Sequence, residues 1–275
     1  MARGVISQSL AAALAAALTA VTAQTASADP RVYSLDQCAD QFVLALAPRG
    51  DIAALSHRAD DADSYLRAAA RGVPRRRAGL EPILASKAQL AVRYWGGDPV
   101  LTRALERRGI KVVTIDDATD FAGVRANVRK VAAALGQSAR GEALVRNMDD
   151  KLAASRGAGQ GRSALYMTSG GFTAGKDTLI GAMLGAAGLR NLAARPSFTP
   201  VPLERLALRP PSALVLGYFD PAALATQRWA FGRHHLVRKT VRNRTLAALP
   251  STVLGCPAWF AADGSLLLAQ AERRR

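Results

Sequence analysis

Short apolar runs alternate with longer stretches in which apolar positions recur every three to four residues, from residue 31 into the last third of the chain. Compact apolar runs bounded by turn formers are signals of buried strands, and the 3.6-residue period marks helices with one buried face. The pattern predicts strands over 31–35 (RVYSL), 52–55 (IAAL), 89–94 (QLAVRY) and 110–115 (IKVVTI). Helices are predicted over 36–46, 80–86, 98–108 and 119–135, with Asp36 placed to cap the first and Gly109 and Gly136 placed to end the last two. A longer helix follows over 138–155, carrying Leu144, Met148 and Leu152 at i, i+4 spacing. The glycines of 157–161 (GAGQG) predict a flexible break. Beyond it the alternation restarts, with strands over 163–168, 213–217 and 252–254 and helices over 177–188 and 203–208. Such alternation predicts an α/β fold of two Rossmann-like lobes with parallel sheets, joined by one long α-helix. The boundaries are 29–137 for the N-terminal lobe, 138–156 for the linker helix and 157–275 for the C-terminal lobe.

A short internal repeat accords with two lobes. Glu81 opens a brief helix ahead of the strand that ends in Tyr94-Trp95, and Glu204 opens another ahead of Tyr218-Phe219. The spacing from glutamate to tyrosine is 13 in the first copy and 14 in the second.

Residues 1–28 have a different pattern. Arg3 precedes an apolar stretch over 10–21, and Ala26-Ser27-Ala28 supplies small residues for cleavage. This is the pattern of a secretory signal peptide, too short to cross ~30 Å of hydrocarbon. Export to the periplasm is therefore expected, without a lipid anchor, because Cys38 lies well past the cleavage point. Hydrophobic content of 49% is ample for a core. The formal charge of +16 comes from 37 basic and 21 acidic residues, with arginines scattered rather than clustered apart from 75–77 and 273–275. An exported protein meets little nucleic acid, so this charge is read as attraction to anions or membrane headgroups. Cys38 and Cys256 enter an oxidising compartment, where pairing is the expectation and two free thiols at a cleft the alternative.

Ligands of open parallel sheets bind outside the carboxyl ends of the strands. That rule selects Gln37, His57, Tyr94 and Trp95 from the first lobe, and Phe172, Tyr218, Phe219 and Trp259 from the second. The set is rich in aromatics and poor in carboxylates, which suits a large, flat, partly apolar ligand better than proton transfer. Catalytic motifs do not form. Ser169 lacks the leading glycine of a nucleophile elbow, and Gly175-Lys176 lacks the spacing and hydroxyl of a phosphate-binding loop. His234-His235 has no Cys, Asp or Glu beside it and reads as a turn rather than a metal site.

In the order and spacing of its segments the chain resembles the periplasmic substrate-binding proteins of cobalamin and ferric-siderophore ABC importers, whose two lobes are joined by a single long helix. The segments are RVYSLDQCADQFVLAL (31–46), GLEPILASKAQLAVRYWGGDPVLTRALERRGIKVVTID (79–116), the helical region 120–155, GKDTLIGAMLGAAGLRN (175–191) and VPLERLALRPPSALVLG (201–217). The resemblance implies a monomeric binding protein without catalysis or a resident cofactor. Its ligand would be a metal chelate, a ferric siderophore or cobalamin ahead of haem, held between the lobes. It further implies that Glu81 and Glu204 dock into the permease dimer, and that Tyr94-Trp95-Gly96-Gly97 belongs to the binding site. An exported α/β enzyme acting on a small polar substrate is the competing reading.

Overall fold

The computed structural model describes residues 29–193, 195–218 and 234–275; residues 1–28, Ala194 and 219–233 lie outside it. Five parallel strands build the first sheet: β1 (Val32–Ser34), β2 (Ile52–Ser56), β3 (Arg75–Arg76), β4 (Leu90–Tyr94) and β5 (Lys111–Ile115), in the order β3-β2-β1-β4-β5. Side chains alternate across this sheet, so Val32 and Val92 enter one core while Tyr33 and Ala91 enter the other. Both faces are thereby buried, and all three residues of β1, Val32, Tyr33 and Ser34, are buried. The crossovers are α1 (Gln37–Leu46), α2 (Leu80–Ala85), α3 (Pro99–Glu106) and α4 (Phe121–Ala134). Asp36, Asp98 and Asp120 cap α1, α3 and α4 by accepting from backbone N–H groups of their first turns.

Helix α5 (Ser138–Ser155) runs along α4, where Gly141 allows the closest approach: a Cβ there would lie 2.5 Å from Ala132 Cβ. Beyond α5 come β6 (Ser163–Thr168), β7 (Phe172–Ala174), β8 (Arg190–Asn191), β9 (Phe198–Pro200), β10 (Ala213–Gly217) and β11 (Thr245–Leu249). The second sheet is parallel in the order β11-β10-β6-β8, while β7 and β9 pair antiparallel beside it. Its helices are α6 (Leu179–Ala186), α7 (Leu203–Leu208), α8 (His235–Arg244), α9 (Ser251–Leu254) and α10 (Ala261–Arg273). Parallel α/β sheets, in two lobes, are thus the architecture that the alternation predicted.

Three expectations require correction. The last strand is Thr245–Leu249, and 252–254 falls in α9, a single helical turn that follows Pro250. The glycines of 157–161 are pinned rather than loose: Gly159 N–H donates to Ala187 O at 2.8 Å and Gly161 N–H to Gly188 O at 2.9 Å. Helix α10, absent from the sequence reading, packs on α5 and α6, with Gly264 so close that a Cβ would overlap Met183 Cε. Its N-terminal end returns to the first lobe, so residues of both sheets, such as Val92 and Val215, share one continuous core.

Asp40 ties α1 to the end of β2. Fully buried, it accepts from Ser56 N–H at 2.8 Å and from Ser56 Oγ at 2.6 Å. Burial nevertheless dominates these hydrogen bonds and raises its pKa from 3.8 to about 6. The folded value lies above the unfolded one, so protonation favours folding: this contribution is complete below about pH 4 and is lost as pH rises through about 6. Asp40→Asn keeps the geometry without the charge. In chemical denaturation across that pH range it is expected to flatten the decline in stability by on the order of 2–3 kcal/mol. A variant retaining the wild-type pH slope would contradict this assignment.

Candidate functional site

Each sheet has a switch point where the crossovers change direction, between β1 and β4 in the first lobe and between β6 and β10 in the second. Both points deliver aromatic side chains from the carboxyl ends of their strands. In the first lobe Asp36 does double work. While capping α1 through Ala39 N–H at 2.9 Å, its other oxygen accepts from Tyr94 N–H at 2.7 Å. The start of α1 and the end of β4 are thereby fixed to each other, and Trp95 follows with its N–H donated to Ile115 O at 2.9 Å. The Tyr94 ring meets the Trp95 ring edge-on, 6.3 Å between centroids, and the Tyr94 hydroxyl donates to the Asp117 carboxylate. Burial, aided by Asp117, pushes the Tyr94 phenol well above its ordinary value and keeps it a neutral donor.

The second lobe mirrors this arrangement. Ser169 Oγ donates to Tyr218 O at 2.9 Å, joining the ends of β6 and β10. Tyr218 adopts a left-handed backbone (φ 49°), which only a few per cent of non-glycine residues share and which marks a constrained strand end. Burial, then the negative charge of Asp63 from the opposite lobe, pushes its phenol up to about 12.

Trp95 is 53% exposed, Phe172 47%, Phe198 55% and Tyr218 46%, and these are the only exposed Phe, Tyr or Trp side chains among the described residues. Two come from β4 and β10 ends, and two from the paired strands β7 and β9. Between the lobes lies a pocket of about 280 Å³ lined by Tyr94, Asp117, Asp177, Met183, Phe198 and Cys256.

Cys38 and Cys256 form a disulfide with Cα atoms 5.4 Å apart, joining the first turn of α1 to the turn after α9. The expected bond between the lobes is present. Around it, Tyr65 stacks on Phe260 at 4.3 Å and donates to Asp263 at 2.6 Å, while Lys151 of α5 pairs with Asp263 at 2.5 Å.

Other predicted residues are placed differently. Trp259 is only 5% exposed and meets Phe42 edge-on at 5.3 Å, so it is a core residue between the lobes, not a cleft wall. The turn at Gly255–Pro257 directs it inward onto α1, where its apolar area is removed from water. Gln37 is engaged with the first lobe, donating to Asp63 at 2.7 Å and Ser64 at 3.1 Å. His57 is exposed at the end of β2, one strand away from the switch point. Phe219 lies outside the described residues. Glu81 and Glu204 are exposed in the first turns of α2 and α7, the helices that lead into the equivalent strands β4 and β10. His234 caps α8, its Nδ1 accepting from Leu236 N–H at 3.3 Å.

The cleft is more acidic than expected, since Asp117 and Asp177 both line its pocket. Asp117 follows β5 and was accessible to the same strand-end rule. Asp63 and Phe198 sit in stretches without hydrophobic periodicity, and nothing in the pattern singles them out.

The sequence profile described as periplasmic binding protein matches residues 83–218. No protein of curated function matches the chain. Among solved structures, the periplasmic haem-binding protein RhuT from Roseiflexus sp. RS-1 aligns with a TM-score of 0.66 at 19% identity, covering 90% of this chain and 98% of that one. The periplasmic vitamin B12-binding protein BtuF of Vibrio cholerae gives 0.65 at 15% identity, over 90% and 97%. An ABC-type Fe3+-hydroxamate transport protein from Saccharomonospora viridis DSM 43017 gives 0.62 at 20% identity, over 88% and 93%. The profile match takes in β4 at the first switch point, the intervening α5 and the second switch point, so residues 83–218 belong to the periplasmic binding protein family, and the two-lobed fold of these solved structures is shared along the chain.

Proposed function

We propose that this protein is the substrate-binding component of an ABC importer that captures a metal chelate between its lobes and presents it to a permease dimer. The observation that carries this reading is the set of four exposed aromatic side chains drawn from both lobes, Trp95 and Tyr218 after the sheet strands β4 and β10 and Phe172 and Phe198 on β7 and β9. Exposed rings of this size are costly to leave in water, and their flat faces suit a macrocycle or chelate shell. The neutral phenol of Tyr218 supplies a hydrogen-bond donor, while that of Tyr94, whose hydrogen goes to Asp117, supplies an acceptor.

Charge narrows the ligand class. Asp117 and Asp177 give the cleft a negative wall in a chain that is otherwise strongly basic. A neutral or cationic chelate, such as cobalamin or a ferric hydroxamate, is favoured over one with several carboxylates or catecholates, because like charges in a partly dry cleft repel. This places haem, with its two propionates, behind the other two. The competing reading of an exported enzyme gains nothing here, since the Ser169 hydroxyl is held by the Tyr218 carbonyl. Glu81 and Glu204 are read as permease contacts, because their equivalent exposed positions serve neither core nor pocket.

Calorimetric titration with cyanocobalamin, a neutral ferric hydroxamate, a ferric catecholate and haemin tests the cleft. One of the first two is expected to bind most tightly, with Trp95→Ala and Tyr218→Ala each weakening it about tenfold, ~1.4 kcal/mol. If neither substitution changes affinity by more than about twofold (~0.4 kcal/mol), the aromatic cleft is not the binding site. For the docking role, the double variant Glu81→Ala/Glu204→Ala is expected to lose import in cells while the purified protein keeps its affinity. Weakened ligand binding by that purified variant would contradict the assignment.

A further inference from the structure

A larger hollow lies away from the cleft, within the second lobe. It encloses about 750 Å³ beside the edge strand β8, the paired strands β7 and β9, and α7. Arg190, Arg195, Arg205 and Arg209 line it, and no acidic residue does among the described residues. None of these four guanidinium groups forms an ion pair with a described carboxylate, whereas Arg125, Arg129 and Arg162 elsewhere all do. Glu204, the nearest carboxylate in sequence, is exposed on α7 and is not part of the lining.

A second, independent observation comes from the wall. Thr173 is only 3% exposed, lines the hollow, and its Oγ1 has no hydrogen-bond partner. Buried hydroxyls are nearly always partnered, so an orphan in the wall beside these arginines is a donor that an entering ligand atom or water would satisfy once the wall gives way to it. Leu165, Val201 and Leu206 form an apolar stretch of the wall, with Asn191 and Thr199 beside it. Leu165 and Leu206 otherwise belong to the core of this lobe, on the sheet face opposite the core shared by both lobes.

We propose that the C-terminal lobe carries a second ligand site, separate from the cleft, for a small amphipathic anion. Its phosphate or carboxylate head is held among the four arginines, which present planar donor forks suited to such groups, and its apolar stem lies on Leu165, Val201 and Leu206. Thr173 Oγ1 donates to the head or to a water beside it. The same chemistry is offered by a soluble organic anion and by the headgroup of an anionic lipid.

The test uses the whole chain and hexyl phosphate as probe, with inorganic phosphate and hexanol as its two halves. Hexyl phosphate is expected to bind with one site per chain, about tenfold more tightly than either half. Arg205→Gln/Arg209→Gln is expected to weaken it about tenfold and Thr173→Val severalfold, while titration of the cleft ligand is unchanged in both, which separates this site from the cleft. Sedimentation with phosphatidylglycerol vesicles, against phosphatidylcholine vesicles, distinguishes the sources. Binding that hexyl phosphate competes away and the arginine variant loses identifies a lipid headgroup, whereas saturable hexyl phosphate binding without such competition identifies a soluble anion. Absence of saturable hexyl phosphate binding at about 10 mM, or binding that none of these substitutions alters, would overturn the proposal.

Discussion

The arrangement of this protein depends on one contact: the segment 255–263 of the second lobe seated against α1 and the 57–73 segment of the first. Cys256 is bonded to Cys38, Trp259 packs on Phe42, and Phe260 stacks under Tyr65. Asp263 then gathers the Tyr65 hydroxyl and the Lys151 ammonium, tying α10 to both the first lobe and α5. Each bond is modest alone, but together they bury two aromatic residues and close a loop of 218 residues covalently. A constraint of that length removes much of the freedom of the unfolded chain, by ~5.4 kcal/mol in the loop-entropy model. It also fixes how far apart the two switch points sit.

The cleft follows from that constraint. A helical linker resists bending, and a second covalent connection beside it restricts rotation of one lobe against the other. Tyr94 N–H is held by Asp36, Trp95 N–H by Ile115 O and Tyr218 O by Ser169, so the backbone bearing each aromatic group is fixed within its lobe by a hydrogen bond. The rings thus stand exposed but ordered before any ligand arrives. Such preorganisation lowers the entropic cost of capture. It also means that the two outer glutamates, one on each lobe, keep a set separation for whatever they meet.

Much of this was legible in the sequence, for identifiable reasons. Buried parallel strands need uninterrupted apolar runs, so LAVRY and SALYMT stand out, and the strand-end rule then names Tyr94, Trp95 and Tyr218 without reference to any relative. Helix α10 was illegible because its buried face is made of Ala, Gly and Ser, whose smallness is what allows close packing on Met183 and α5. The strand TLAAL resembles a helix in composition, and the neighbouring TVL was too short to distinguish from one. Trp259 misled for a related reason: an aromatic residue after a predicted strand end reads as a cleft wall, yet the strand was elsewhere and the ring turned into the core. Asp63 and Phe198 belong to irregular segments whose positions are set by tertiary contacts, to which periodicity is blind.

The central claim is that the lobes are held as one body, with the cleft formed before ligand binds. The most direct measurement is the distance between spin labels placed by non-cysteine chemistry at Arg103 on α3 and Arg238 on α8, in the oxidised, ligand-free protein. A single narrow distribution that moves by no more than about 2 Å when ligand is added is the expected result. Two populations, or a shift beyond about 5 Å between the free and bound states, would show that the lobes swing apart and would contradict the account.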